Sequence, residues 1–411
     1  MKIDQLLTAK NALAKGELRT ILVSTFLISL ILSFSQILVD PVINSDGALY
    51  IQASSFIQTN EWLLASQTYN WLFYPYIIAQ FSTLTTVSLE YSAYILNSFF
   101  TAITCITFIL IIKEFDGKNK TTLWFASLII LCFPSFNEYR NMVVRDHGYW
   151  AFYLISCYFF IKTYTTSKQL SLLLPLLLST ALAALFRIEG LVFLLLLPII
   201  VILKHQLILK NLKKTLIIAI IITITLLIAY NLFFQSINIS GFTKIIKVEQ
   251  FFDEPLSKVN SYIGHSEAFI NKLSPQGFSS DYAPFVLFLV FLSILLTEIV
   301  CAIGPLYTIM LGIVLFKTKG LSSHRLFQPW ALLILINVAI LSTFLLSKFF
   351  LAGRYPIPLA LTLLIPLPFL FHSVYKQFLN KDLPHSLTKI IQITAALFVI
   401  LSVDSLVSLG A

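Results

Sequence analysis

The sequence predicts an all-α polytopic membrane protein, and three observations carry that prediction. Hydrophobic residues make up 58% of the 411 and charged residues only 11%, where a soluble domain typically carries about a quarter charged residues. The apolar residues are gathered into runs such as Ile21–Val39 and Ser92–Ile112, near the ~20 residues that a bilayer-spanning helix needs. These runs are apolar all round, whereas a membrane β-barrel would alternate over segments of roughly ten residues.

Lys2, Lys10, Lys15 and Arg19 precede the first run. That run is longer than the ~7–15 residues of a signal-peptide core and no A-x-A site follows, so an uncleaved span with a cytoplasmic N-terminus is expected. Span 1 covers about 21–39 and ends at Asp40-Pro41. A first external loop then occupies about 40–90. If the apolar stretch 71–87 crossed the bilayer, Lys113, Lys118 and Lys120 would fall outside, against the positive-inside rule. It is therefore expected to lie in the outer interface, with Trp71, Tyr74 and Tyr76 at headgroup level.

Further spans follow at about 91–112, 122–134, 149–162, 170–186, 191–203 and 215–234, and a second external loop at 235–283. Gly304-Pro305 interrupts 284–316, which suits an interfacial helix followed by span 8. Spans 9 to 11 are expected at 329–346, 356–371 and 390–409, giving about 11 in all and an external C-terminus. The whole of 1–411 is one domain, without repeats or linkers. The net charge of +9 comes from lysines spread over short loops between apolar runs. That is a topology signal, and no nucleic-acid partner is expected. Cys105, Cys132, Cys157 and Cys301 stand alone, which speaks against disulfides and thiolate metal sites. The cytoplasmic loops are short and basic, while most acids fall on the external side, so chemistry is expected there.

Four groups of residues are placed to carry it. In the first loop, Leu49, Ala53 and Phe56 recur at helical spacing after Gly47. Asp46 then either caps that helix or faces a cleft as a base. Arg187 and Glu189 end span 5; two apart on a helix they would diverge, so a shared site requires a local unwinding, which Gly190 permits. Arg140, Arg145, Asp146 and His147 crowd the mouth between spans 3 and 4, either as a phosphate and hydroxyl site or as a salt-bridged helix end. Arg354-Tyr355 opens span 10, where arginine suits either a phosphate or headgroup anchoring.

In this order the residues resemble the GT-C superfamily of membrane glycosyltransferases, including the protein mannosyltransferases and the lipid A aminoarabinose transferases. Asp46-Gly47-Ala48-Leu49-Tyr50 is similar to the family's D-x-x-x-Y setting in the loop after span 1. Tyr74-Pro75-Tyr76 and the run from Glu90 to Asn97 resemble its aromatic-Pro stretch and following span. Arg187-Ile188-Glu189-Gly190 and Gly353-Arg354-Tyr355-Pro356 are similar to its span ends. Gly47 departs from the family, standing where an acidic residue often follows the catalytic Asp. A WWDYG-like motif and a large C-terminal soluble domain have no counterpart.

The resemblance implies transfer of a sugar, with inversion, from a polyprenyl-phosphate donor to a glycan, lipid or protein acceptor at a bacterial inner (plasma) membrane. Asp46 would be the base, and Arg187, Arg354 and Arg145 would bind the donor phosphate. Glu189, Asp146, Tyr50 and Tyr355 would contact sugar or acceptor. No metal is strictly required, a divalent cation being the remaining option. Two other classes stay open. A transporter or flippase of lipid-linked glycans calls for ionisable residues within spans, and only Glu298 and Asp404 fall there. An O-antigen polymerase or ligase favours a long external loop rich in Arg and His, and 235–283 contains no Arg.

Overall fold

The computed structural model describes residues 3–116, 119–166, 170–205, 261–262, 283–317 and 326–379. The expected spans at 215–234 and 390–409, most of the 235–283 loop and the C-terminus lie outside them. The described residues form helices and no strand.

The first helix, α1 (Ile3–Val39), stops where Pro41 biases Asp40 away from helical geometry. Three short helices follow: α2 (Ser45–Gln58), α3 (Trp62–Thr68) and α4 (Phe73–Thr85). Next come α5 (Leu89–Asp116), α6 (Lys120–Leu131), α7 (Pro134–Glu138), α8 (Asp146–Thr165), α9 (Leu173–Phe186) and α10 (Gly190–His205). After a gap in the described residues the chain continues as α11 (Ala283–Ile303), α12 (Pro305–Lys317), α13 (Phe327–Lys348), α14 (Ile357–Leu363) and α15 (Leu367–Leu379).

Among the described residues, five stretches are long and apolar enough to cross a membrane: Gly16–Val39, Leu89–Phe115, Pro284–Ile303, Phe327–Lys348 and Ile357–Lys376. The protein is an all-α protein with the helices of an integral membrane protein. Phe285, Phe288, Leu38 and Leu203 are exposed, as side chains facing lipid would be.

Helix ends gather into two sets. At one end, Lys120 pairs with Glu17, Asn119 meets His372 at 2.9 Å, His205 meets the Thr163 carbonyl at 2.9 Å and Tyr164 donates to Gln328. At the other, residues 40–44, 139–146, 187–189 and 349–356 converge. Between them α8 is central, packed on α5, α9, α10, α13 and α14. Tyr153 on α8 hydrogen-bonds Thr362 at 2.6 Å and accepts from Asn337 at 2.7 Å, so these buried polar groups satisfy one another.

Two expectations are refined. The buried face of α2 is Gly47, Tyr50, Ala53, Ser54 and Ile57; of Leu49, Ala53 and Phe56 only Ala53 lies on it, because Tyr50 is drawn between Tyr69 and Tyr74 at 4.7 and 5.2 Å. Span 10 is interrupted by a turn at 364–366 between α14 and α15. The break at Gly304-Pro305 is present, with Gly304 at φ +86°. Although α11 is long enough to span, it stays beside the convergent end: Phe291 meets Phe349 at 4.5 Å and Ser135 donates to the Cys301 carbonyl.

Candidate functional site

The site begins with a backbone zipper. After Pro41 the chain runs alongside the α7–α8 loop: Val42 N donates to Asn141 O at 3.0 Å and Val143 N to Val42 O at 3.2 Å. Asn141 Nδ2 donates to Asp40 O at 2.7 Å, and Asn97 on α5 holds the carbonyls of Met142 and Val144, both at 3.1 Å. The starts of α2 and α8 therefore emerge side by side, bringing Asp46 near Arg145 and Asp146.

Gly47 makes this approach sterically possible. A Cβ there would lie 2.9 Å from the Val143 carbonyl oxygen, so the position that departs from the GT-C pattern is one where a larger residue clashes. The cap of α2 is Asn44, whose Oδ1 accepts from Gly47 N at 2.7 Å. Asp46 thus does not cap; it occupies the first turn with its carboxylate free to reach elsewhere.

The second half comes from the α9–α10 junction. Arg187 ends α9 in extended geometry (φ −146°, ψ 142°), and this unwinding lets Arg187 and Glu189 meet. Arg187 Nε and Nη2 donate to Glu189 Oε2 and Oε1 at 3.1 and 2.5 Å, and Nη1 pairs with Asp146 Oδ1. Gly190 starts α10 where a Cβ would fall 2.3 Å from Ala184 N, and Gly148 sets α8 against Phe186, whose ring a Cβ would meet at 2.2 Å.

Arg354, in the turn before α14, completes the arrangement. Its Nη2 pairs with Asp46 Oδ2, and its Nε lies 3.7 Å from Asp146 Oδ2. Asp46, Arg354, Asp146, Arg187 and Glu189 thus form a ladder of alternating charge drawn from four segments. Its five members sum to one negative charge, and Arg145 beside them brings the group to neutrality. The inner trio is buried, with side chains 2% (Asp146), 6% (Arg187) and 10% (Glu189) exposed, whereas Arg354 is 17% and Asp46 36% exposed. Burial alone would raise the Asp146 and Glu189 carboxyls; Arg187, with Arg354 and Arg145 adding at Asp146, outweighs it and holds both below the usual carboxylate range.

A narrow cleft opens along the ladder, about 360 Å³ of empty space counting its open mouth, lined by Asp146, Trp150, Arg187, Asn337, Arg354 and Tyr355 among others. The Tyr355 ring lies 4.3 Å from the Arg187 guanidinium carbon, a cation–π contact of about 2 kcal/mol when desolvated. Asp146 Oδ2, Arg354 Nε and Trp150 Nε1 are buried and without a hydrogen-bond partner among the described residues. Buried polar atoms of this kind are rare in native proteins.

The other expected residues fall as follows. Arg145 has no ion pair among the described residues and lies 5.5 Å from the Tyr69 ring centre. Of the two readings of Arg145-Asp146, the helix-end salt bridge is not formed, Asp146 pairing with Arg187 instead. Tyr50, expected to contact sugar or acceptor, is only 1% exposed and packs between Tyr69 and Tyr74. Arg140 is buried away from the ladder, donating to Ser29 O, Ser29 Oγ and Ser33 Oγ at 3.0–3.1 Å, and ties the loop to α1. His147 bonds Thr101 and the Tyr139 carbonyl. Among the described residues no group of three or more His, Cys, Asp or Glu side chains is arranged to hold a metal.

Sequence reasoning missed Trp150 and Asn337. Asn337 carried a signal, a polar residue within an apolar run; Trp150 adjoins the His147-Gly148-Tyr149 stretch but nothing set it apart from other aromatics. Comparison with known protein families, curated proteins and solved structures gave no match for this chain.

Proposed function

We propose that this protein is an inverting glycosyltransferase of the GT-C kind. It moves a sugar from a polyprenyl-phosphate donor to a glycan, lipid or protein acceptor, and the convergent end faces the outside of a bacterial inner membrane. The observation that carries this reading is the meeting of half-exposed Asp46 with Arg354 at the rim of a cleft, backed by three further charged residues. Charges held at a membrane-protein helix end are costly and mark functional sites by default.

In this reading Asp46 takes the proton from the acceptor hydroxyl. The acceptor oxygen bonds to the anomeric carbon as the bond from that carbon to the phosphate oxygen breaks, and the electron pair leaves on the phosphate. Arg354 and Arg145 stabilise that developing charge, as preorganised cations do most effectively in a water-poor site. Arg187 is engaged by two carboxylates, so its part is to hold Asp146 and Glu189 in position towards sugar hydroxyls, with Tyr355 and Trp150 as ring and N–H contacts.

Mass spectrometry of lipid retained by the purified protein tests this. A polyprenyl-phosphate sugar bound to wild type and accumulating on the Asp46→Asn variant is the expected result. Failure to recover any phosphate-bearing isoprenoid from either preparation would overturn the reading.

A further inference from the structure

The ladder is already neutral, and that constrains how an anion enters. Three carboxylates face three guanidiniums, so an arriving phosphoryl group finds no net positive charge, and any cation it takes beyond Arg145 is one already shared with a resident acid. Asp146 and Glu189 are buried and share Arg187 through three charge-assisted hydrogen bonds. Asp46 is the loosest member: it is 36% exposed and joined to the ladder through Arg354 alone among the described residues. Arg354 has capacity to spare. Among the described residues only its Nη2 donates a hydrogen bond, and its buried Nε has no hydrogen-bond partner, Asp146 Oδ2 standing 3.7 Å away. At that length Asp146 neutralises Nε without accepting its proton, which stays able to donate to another acceptor.

We propose that Asp46 is a resident anion on Arg354, displaced by the phosphoryl group of the substrate, so that the carboxylate is released as a base only once donor is bound. This rests on the glycosyltransferase reading above. A phosphoryl oxygen takes the Asp46 position at Nη2 and another oxygen fills the vacant Nε, giving the two-point contact that suits arginine. Arg145, beside the Tyr69 ring and without an ion pair among the described residues, supplies the second cation. Asp46, on the first turn of a helix capped by Asn44, turns towards the acceptor without disturbing the cap.

The experiment measures binding of a polyprenyl monophosphate, and of the matched polyprenol lacking phosphate, to the full-length protein in nanodiscs. The variants are Asp46→Asn, Asp46→Asn/Arg354→Gln and, as a control, Asp40→Asn, since Asp40 is exposed and outside the ladder. Removing the competing carboxylate should tighten polyprenyl-phosphate binding roughly two- to fivefold, the range of a part-exposed ion pair. Polyprenol binding should not change, Asp40→Asn should match wild type, and the double variant should lose the gain. If wild type prefers the phosphate but Asp46→Asn binds it equally or more weakly, the displacement is wrong while the glycosyltransferase reading stands. If wild type and variants all bind polyprenol as well as its phosphate, both fall.

Discussion

The guanidinium of Arg354 donates to the carboxylate of Asp46 across 308 positions of chain, and this pair closes the outer end of the charge ladder. Cap and carboxylate are separate residues here, so their roles can be separated by mutation. Asp46→Asn should abolish transfer while leaving stability within about 1 kcal/mol of wild type, the most that a part-exposed ion pair is worth. Asn44→Ala should lower stability by about 1 kcal/mol, the usual cost of losing an N-cap, with activity partly kept. Near-normal transfer by Asp46→Asn would remove Asp46 as the base.

Arg187 and Arg354 should answer differently to replacement. Arg187→Ala leaves Asp146 and Glu189 buried without their main counter-ion, which costs about 3–5 kcal/mol and should appear as loss of folded protein. Arg354→Ala, at the rim, should leave a folded protein with weakened donor binding. Arg354→Lys should not restore that binding, since an ammonium cannot make the two-point contact. Equal stability of the two alanine variants would show that the inner trio is not what holds this end together.

Acid should weaken the fold only at low pH. Asp146 and Glu189 have carboxyls held below the usual range, so their contribution is fully present above the unfolded value and lost as pH falls through the folded one. Thermal stability in detergent should therefore vary little on their account from pH 7 to about 5 and decline below roughly pH 4. Glu189→Gln, which removes one of the two carboxyls and keeps the Asp146–Arg187 pair, should make that acid limb shallower. A limb that persists unchanged in Glu189→Gln would assign it to other groups.

Gly148 is expected to tolerate no side chain. A Cβ would sit 2.2 Å from the Phe186 ring, so Gly148→Ala should destabilise by about 1–3 kcal/mol through overpacking. Adding Phe186→Leu should recover part of that loss. No recovery would place the constraint elsewhere.

The two sets of helix ends predict opposite accessibility. Single cysteines at Asn60 and Lys120, in a background lacking the four native cysteines, should react with a membrane-impermeant reagent from opposite sides, Asn60 from outside. Labelling of both from one side would break the proposed threading.

The class of protein was legible in the sequence alone, because apolar run length and the scarcity of charge report directly on a solvent without water. So were the helix breaks at Pro41, Arg187 and Gly304-Pro305, where local chemistry stops a helix. The residues of the ladder also stood out, as charges at the ends of apolar runs. What only the tertiary structure decided was who pairs with whom. Sequence offered Arg145 as the neighbour of Asp146, yet Asp146 pairs with Arg187, 41 positions away, and Asp46 with Arg354. Sequence offered Asp46 as a cap and Tyr50 as a contact, yet Asn44 caps and Tyr50 is core. Ladder members sit in non-helical junctions, where periodicity carries no information about direction. Their partners are set by the zipper between residues 40–44 and 139–145 and by close approach at Gly47 and Gly148, and both exist only once the helices have packed.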